Sequence, residues 1–119
     1  MAHKILIIED DRDMIEAVKL RLVEEGYEVV TAENGLEGLE KYEADKPNLI
    51  LLDVVMPQMD GYSFIKTFKQ KYSVREVPVI VLSGKSGMKD MFALEGIRGF
   101  LEKPYGFDEL LQKIKNCLR

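Results

Sequence analysis

The stretch Leu49-Ile50-Leu51-Leu52-Asp53 places four consecutive apolar residues before a single acid. An apolar run this short, without alternation, is typical of a strand buried on both faces of a parallel sheet. A second run of the same kind, Ile5-Leu6-Ile7-Ile8, is followed by Glu9, Asp10 and Asp11. The two runs therefore predict buried strands that end in acidic residues.

Helical patterns alternate with these strands along the rest of the chain. From Arg12 to Glu25, apolar residues recur at steps of three and four, with Asp11 placed to cap the start and Gly26 to stop the end. The other segments predict strands at residues 28–32, 77–82 and 99–102, and helices around residues 36–42, 64–72, 88–94 and 110–118. Five strand–helix units predict an α/β fold in which helices cover both faces of an open parallel sheet.

The length and charge of the chain restrict its class. A single domain over residues 1–119 is expected, since domains commonly contain about 100–200 residues. Seventeen Lys and Arg against 21 Asp and Glu give a net charge of 17 − 21 = −4. This balance disfavours a surface that neutralises the phosphates of nucleic acid or anionic lipid. We therefore expect no direct binding of nucleic acid and no membrane association.

Cysteine usage and hydropathy predict a cytoplasmic location. Cys117 is the only cysteine, which excludes an intrachain disulfide and a multi-cysteine metal site. No apolar run approaches the roughly 18 residues of a membrane span, and residues 1–4 lead into the first strand without a signal-peptide profile.

Polar residues follow or end four of the predicted strands: Glu9 and Asp10, Asp53, Ser83, and Lys103. In open parallel sheets, ligands bind beyond the carboxyl ends of the strands, where the strand order reverses. Neighbouring carboxylates repel one another, and a hard cation such as Mg²⁺, which prefers oxygen ligands, relieves that repulsion. A lysine and a hydroxyl can bind phosphoryl oxygens, while a central carboxylate can form an aspartyl phosphate. The pattern points to phosphoryl transfer.

Four segments, in order, resemble the signature segments of receiver domains of two-component response regulators. They are residues 5–11 (ILIIEDD), 51–61 (LLDVVMPQMDG), 79–84 (VIVLSG) and 100–104 (FLEKP). Each segment alone is a weak signal, but four in the family's order, each at a predicted strand end, make a specific match that spans nearly the whole chain. The resemblance implies a flavodoxin-like, doubly wound sheet with strand order 2-1-3-4-5 and five helices.

The resemblance also implies a phosphoacceptor and a metal site. Asp53 would accept a phosphoryl group from a sensor histidine kinase or a histidine phosphotransfer protein. Asp10, Asp53 and the backbone carbonyl of Val55 would bind Mg²⁺, and Glu9 would assist through water. Beyond phosphorylation and dephosphorylation of its own Asp53, no enzymatic activity is expected.

The remaining implied roles concern the phosphoryl group and the switch. Lys103 would pair with one phosphoryl oxygen and Ser83 would donate a hydrogen bond to another. Phe100 occupies the position of the family's switch aromatic, which turns inward as the hydroxyl residue moves. A cis peptide bond would precede Pro104 and orient Lys103. The switch would change the face formed by the fourth helix, fifth strand and fifth helix, where a downstream protein would bind.

The chain departs from the family pattern between Ser83 and Lys103. These residues are 20 positions apart, a shorter interval than is common in the family, so we expect an abbreviated fourth helix or shorter flanking loops. Gly84 stands where a small residue, often Ala, is usual.

Several alternatives stay open or are disfavoured by single residues. A hydrolase of the haloacid dehalogenase type needs a second acid two residues after the nucleophile, where this chain has Val55. A flavin or nucleotide binder needs a phosphate loop rich in Gly, Ser or Thr after the first strand, where Glu9, Asp10 and Asp11 would repel phosphate. An inactive scaffold of the same fold is disfavoured because every expected site position is filled. A stand-alone protein and the receiver part of a longer regulator stay equally possible.

Overall fold

The computed structural model describes residues 2–54, 59–84, 92–93 and 95–118. Strands and helices alternate within these residues. The elements, in chain order, are β1 (Lys4–Ile8), α1 (Arg12–Glu24), β2 (Glu28–Ala32), α2 (Gly35–Asp45), β3 (Leu49–Asp53), α3 (Gly61–Phe68), β4 (Val79–Ser83), β5 (Gly99–Glu102) and α4 (Phe107–Cys117).

The five strands form one parallel sheet in the order β2-β1-β3-β4-β5. This confirms the predicted strand order. The register aligns the carboxyl ends of the central strands, because Ile8 pairs with Leu52 and Asp53 pairs with Leu82. The residues that follow β1 therefore lie beside the last residue of β3.

Two apolar layers explain why the strands contain unbroken apolar runs. On one face, Leu6 and Ile8 pack with Phe64 and Phe68 of α3. On the other face, Ile5 and Ile7 pack with the residues Leu22, Leu110 and Ile114 of α1 and α4. Alternate residues of each central strand thus face opposite layers, and both positions must be apolar.

Helix α1 begins and ends at the predicted signals. The Asp11 carboxylate accepts hydrogen bonds from the backbone N–H groups of Asp13 (3.0 Å) and Met14 (3.2 Å), which caps the helix. Gly26 follows the helix with a φ of +95°, a left-handed conformation that favours glycine.

Helix α3 lies earlier in the chain than the apolar spacing predicted. It begins at Gly61, capped by the Asp60 carboxylate, which accepts a hydrogen bond of 2.8 Å from the Ser63 backbone, and it ends at Phe68. Tyr72 was predicted to lie within the helix but follows it. Its ring still packs against Tyr42, at 4.6 Å between centroids, so core contact alone does not mark where a helix ends.

The predicted helix at residues 88–94 lies mostly outside the described residues. Phe92 and Ala93, which are described, are helical. The other four predicted helices are observed. In the part of the chain that the structure describes, no helix combines the length and apolar character needed to cross a bilayer.

Candidate functional site

The strand ends bring three carboxylates together. Glu9 directly follows β1, where its backbone N–H donates a hydrogen bond of 3.0 Å to the Ala32 carbonyl, and Asp53 is the last residue of β3. One carboxylate oxygen each of Glu9, Asp10 and Asp53 lies within 4.8 Å of the others. Glu9 and Asp53 are only 3% and 7% exposed, whereas Asp10 is exposed. Two of the three acids are therefore buried beside each other.

Lys103 supplies the positive charge that faces this acidic cluster. Its backbone N–H donates to the Ser83 carbonyl (2.7 Å), which continues the pairing of β4 and β5 beyond Glu102. Its ammonium Nζ lies 3.0 Å from Glu9 Oε1 and 3.0 Å from Asp53 Oδ1. The ammonium group thus binds both buried carboxylates at once, and each hydrogen bond is assisted by charge.

Burial and charge change the protonation of two of these groups. Burial raises the pKa of Glu9 to about 7; the hydrogen bond from Lys103 opposes this change, and the negative charge of Asp53 adds to it. For Lys103, burial favours the neutral amine, but the hydrogen bonds to Glu9 and Asp53 and the negative charges of both carboxylates together outweigh it and raise the pKa. Glu9 is therefore a direct hydrogen-bond partner of Lys103 in this structure.

The structure also describes three of the other predicted features, which are Ser83, Phe100 and the peptide bond before Pro104. Ser83 is the last residue of β4 and is 1% exposed. Phe100 lies on β5, half-buried, with its ring centroid 6.4 Å from that of Phe92. The peptide bond between Lys103 and Pro104 is cis. Val55 lies outside the described residues.

Gly61 is a structural part of the site that the sequence reasoning did not single out. Its backbone N–H donates to the Val54 carbonyl (2.8 Å), and a Cβ atom at this position would lie 2.6 Å from the Asp53 carbonyl oxygen. The start of α3 therefore packs directly on the backbone of Asp53, at a distance that only glycine permits. The dipeptide Asp60-Gly61, a cap followed by a small residue, was the available signal.

Tyr105 was also missed. Its hydroxyl is buried and, among the described residues, has no hydrogen-bond partner. Burial is the main cause that raises the pKa of Tyr105, and the charges of Glu9 and Asp53 add to it, whereas Lys103 opposes it. Together with Met14, Val18 and Lys103, Tyr105 lines a cavity of about 310 Å³ between α1 and the start of α4. In a sequence, this tyrosine cannot be told from an ordinary packing residue.

The donor set fits a small hard cation. Carboxylate oxygens are ligands that Mg²⁺ prefers, and Mg²⁺ commonly keeps several waters in its octahedral shell, so one or two protein carboxylates suffice. A cation beside Glu9, Asp10 and Asp53 would also offset the repulsion that a single ammonium group leaves uncompensated. The same oxygens, with Lys103 opposite, suit the binding of a phosphoryl group at Asp53.

Comparison with known proteins decides the family. Residues 5–115 match the response regulator receiver domain family. This chain belongs to that family. The predicted resemblance is thus confirmed, and the receiver domain functions in two-component signal transduction.

Individual relatives extend this comparison. The receiver domain is 36% identical over 119 residues to the chemotaxis protein CheY of Bacillus subtilis, covering 99% of each chain. It is 34% identical to the alkaline phosphatase synthesis transcriptional regulatory protein PhoP of Bacillus subtilis, where it covers 100% of this chain and 50% of the relative. It therefore spans nearly all of the first relative and about half of the second.

A solved structure shows the same fold with a ligand. The response regulator protein TrrA from Thermotoga maritima, in complex with Mg²⁺-BeF, is 32% identical to the receiver domain, with a TM-score of 0.88. The match covers 99% of this chain and 100% of that chain. The family, this complex and the acidic cluster of the receiver domain are consistent with Mg²⁺ binding.

Proposed function

We propose that Asp53 accepts a phosphoryl group from the phosphohistidine of a sensor histidine kinase or a histidine phosphotransfer protein. The observation that carries this proposal is the position of the Lys103 ammonium, 3.0 Å from Asp53 Oδ1. A buried carboxylate at a strand end is an available nucleophile. The cation at its side neutralises charge that develops on transferred phosphoryl oxygens.

The proposed transfer forms one bond and breaks another. A carboxylate oxygen of Asp53 attacks phosphorus as the P–N bond of the phosphohistidine breaks, and the electron pair of that bond stays on the imidazole nitrogen. Lys103 then pairs with a phosphoryl oxygen, and the hydroxyl of Ser83 donates a hydrogen bond to another. Hydrolysis reverses the modification, because water attacks phosphorus and releases phosphate and the free carboxylate. These self-directed reactions are the only enzymatic activity that we propose.

Glu9, Asp10 and Asp53 are the side chains proposed to hold Mg²⁺, with the backbone carbonyl of Val55 as a further ligand. When bound there, the cation would neutralise negative charge on the phosphoryl oxygens during transfer. Asp10, the exposed member of the cluster, would hold the ion together with the buried Asp53. The buried Glu9 would assist through water.

We propose that Phe100 reports phosphorylation to a downstream protein. The half-buried ring borders a cavity of about 270 Å³ that is also lined by Phe92, Ile97, Arg98 and Lys113. This cavity lies beside β5 and α4, and its lining places the cationic side chains of Arg98 and Lys113 beside the Phe100 ring. A change in the position of Phe100 would alter this cavity directly. We further propose that residues 1–119 form one receiver domain and that it works in the cytoplasm.

Incubation with acetyl phosphate and Mg²⁺, followed by intact mass measurement, tests the proposed function. We expect the mass of one phosphoryl group to be added to the wild type and none to the Asp53→Asn variant. Asp45→Asn, on α2 and remote from the cluster, is the matched control and should gain the same mass as the wild type. Equal modification of Asp53→Asn and wild type would overturn the assignment of Asp53.

A further inference from the structure

Glu95 connects the segment before β5 to helix α3. Its carboxylate accepts a hydrogen bond from the Tyr62 hydroxyl (3.2 Å) and from the Lys69 ammonium (3.1 Å), and the Lys66 ammonium lies 3.6 Å away. Lys69 Nζ also donates to the backbone carbonyl of Glu95 (3.0 Å). We name the four residues Tyr62, Lys66, Lys69 and Glu95 the α3 latch.

The latch residues are arranged to converge. Tyr62, Lys66 and Lys69 are four and three positions apart, so they share one side of α3 and its end. Glu95 is largely covered by them, with a side chain that is 12% exposed. The hydrogen bond from Lys69 is the main cause that holds the pKa of Glu95 below its ordinary value. One carboxylate thus joins three groups of the helix, whereas an isolated surface ion pair joins only one.

A second contact holds the same segment. The Arg98 guanidinium donates a hydrogen bond of 3.3 Å to the Arg75 carbonyl, in the loop after α3. Between these two points, Gly96 packs so closely that a Cβ atom there would lie 3.2 Å from the Val74 side chain. The residues that lead into β5 therefore rest along α3 and the loop that follows it.

Ring contacts link the latch to the proposed switch residue. The Tyr62 ring meets the Phe92 ring edge-on, at 5.6 Å between centroids, and the Phe92 ring lies 6.4 Å from that of Phe100. Phe92 is fully buried, so a shift of Tyr62 must displace it or be blocked by it. The Tyr62 ring thus contacts Phe92, which contacts Phe100, and the Tyr62 hydroxyl donates a hydrogen bond to Glu95.

The other end of α3 is fixed to the phosphoacceptor. The N–H of Gly61 binds the Val54 carbonyl, and Gly61 packs against the Asp53 carbonyl oxygen. A displacement of the Asp53 backbone therefore moves the first turn of α3, which contains Tyr62. Helix α3, which has eight residues, connects these two contacts.

We propose that the α3 latch couples Asp53 to Phe100, in addition to any coupling through Ser83. Because Glu95 is bound to α3, the segment before β5 moves together with that helix. A change at Asp53 therefore biases the position of Phe100 through Tyr62 and Phe92. This inference rests on the proposed function, in which Asp53 is the phosphoacceptor and Phe100 the switch. It assigns Glu95 a role in regulation although the residue lies outside the site.

The test uses protein labelled with 4-fluorophenylalanine and Mg²⁺ with beryllofluoride as the probe, since a related response regulator is known in complex with Mg²⁺-BeF. The Phe100 resonance is assigned with the Phe100→Leu variant. In the wild type, saturation with the probe should shift this resonance. In Glu95→Gln, we expect the shifted fraction to fall about twofold and the affinity for the probe to weaken by about fivefold or less, because coupling acts in both directions.

Matched variants separate the latch from general surface effects. Lys66→Met combined with Lys69→Met removes the same ion pairs from the α3 side and should reproduce the Glu95→Gln result. Glu43→Gln removes a carboxylate that also pairs with a lysine and a tyrosine, Lys71 and Tyr72, but joins α2 to the segment that follows α3. This control should behave as the wild type.

The outcomes distinguish the two proposals. If Glu95→Gln and the double lysine variant bind the probe and shift Phe100 as the wild type does, the latch is overturned while the proposed function stands. If Asp53→Asn binds the probe as tightly as the wild type, the proposed role of Asp53 is overturned, and the latch with it. If the wild type binds the probe at Asp53 and Phe100 does not respond, both the switch and the latch are overturned.

Discussion

The ammonium Nζ of Lys103 lies 3.0 Å from Asp53 Oδ1, so the lysine is hydrogen-bonded to the proposed phosphoacceptor in the unphosphorylated protein. It also binds Glu9 Oε1 at 3.0 Å. The same charge that would assist phosphoryl transfer therefore competes with a metal ion for these oxygens.

We predict opposite effects of Lys103→Met on metal binding and on phosphorylation. Removal of a positive charge a few ångströms from the acidic cluster should tighten Mg²⁺ binding by about tenfold. Phosphorylation by acetyl phosphate should slow by about 100-fold, because a donor to the phosphoryl oxygens is lost. Calorimetric titration and mass spectrometry measure the two effects, with Lys71→Met as an exposed control. Weaker Mg²⁺ binding by Lys103→Met would contradict the competition.

Asp10→Asn should weaken Mg²⁺ binding without changing stability. Asp10 is the exposed acid of the cluster, so its amide analogue removes a charged ligand at little cost to folding. We expect the dissociation constant for Mg²⁺ to rise about tenfold or more. Asp11→Asn is the matched control, because Asp11 caps α1 and Asn caps helices as well as Asp does. The same Mg²⁺ affinity in both variants would argue against Asp10 as a ligand.

The raised pKa of Glu9 predicts that stability falls between about pH 4.5 and 7 when no divalent ion is present. Its pKa is about 7 in the folded protein and 4.5 ordinarily. Within this window Glu9 binds more protons in the folded state than in the unfolded state. The contribution of protonated Glu9 to the free energy of unfolding, which is fully present below pH 4.5, is therefore lost as the pH rises. Thermal unfolding measured from pH 4.5 to 8 should show the decline, and Glu9→Gln should reduce it.

Added Mg²⁺ should reverse this pH dependence. Since a cation favours ionised Glu9, its stabilising effect should be larger at pH 8 than at pH 5. Glu43→Gln serves as the control for the slope, because hydrogen bonds from Tyr72 and Lys71 lower the pKa of Glu43, which is the opposite direction to the change at Glu9. An unchanged slope in Glu9→Gln would show that another group causes the decline.

Gly61→Ala should destabilise the fold by about 2 kcal/mol or more, an overpacking effect. The added Cβ atom would lie 2.6 Å from the Asp53 carbonyl oxygen and 2.9 Å from the Val54 Cα, and backbone atoms cannot move aside as a flexible side chain can. Gly106→Ala is the control, since nothing lies within 4 Å of a Cβ atom there. Urea unfolding compares the two variants, and equal stability would contradict the close approach.

Tyr105→Phe should stabilise the protein by about 1 kcal/mol, because it removes a buried hydroxyl that the described residues leave without a hydrogen bond. Tyr62→Phe removes a hydroxyl that donates to Glu95 and should destabilise instead. Thermal unfolding of both variants tests the contrast. Destabilisation by Tyr105→Phe would mean that its hydroxyl has a favourable partner in solution.

Most of the fold could be predicted because its signals are local. The caps of α1 depend on Asp11 and on Gly26, which adjoin the helix, and both predictions are confirmed. The shifted position of α3 shows the limit of local patterns. The cap at Asp60 and the contact of Gly61 with Asp53 decide where that helix begins, while the apolar spacing extended the prediction to Tyr72.

The amino-acid sequence alone predicted the order of elements, the acids and the lysine at the strand ends, and the resemblance to receiver domains. These features follow from residue type and short spacing. The folded chain was needed to show that Lys103 binds Glu9 and Asp53, residues 94 and 50 positions away. It was also needed to show that Glu95 binds a side chain of α3. Such contacts depend on which strands are neighbours and on how closely helices pack against them. Burial then sets the pKa of Glu9, because the cost of charge depends on the atoms that surround it in space.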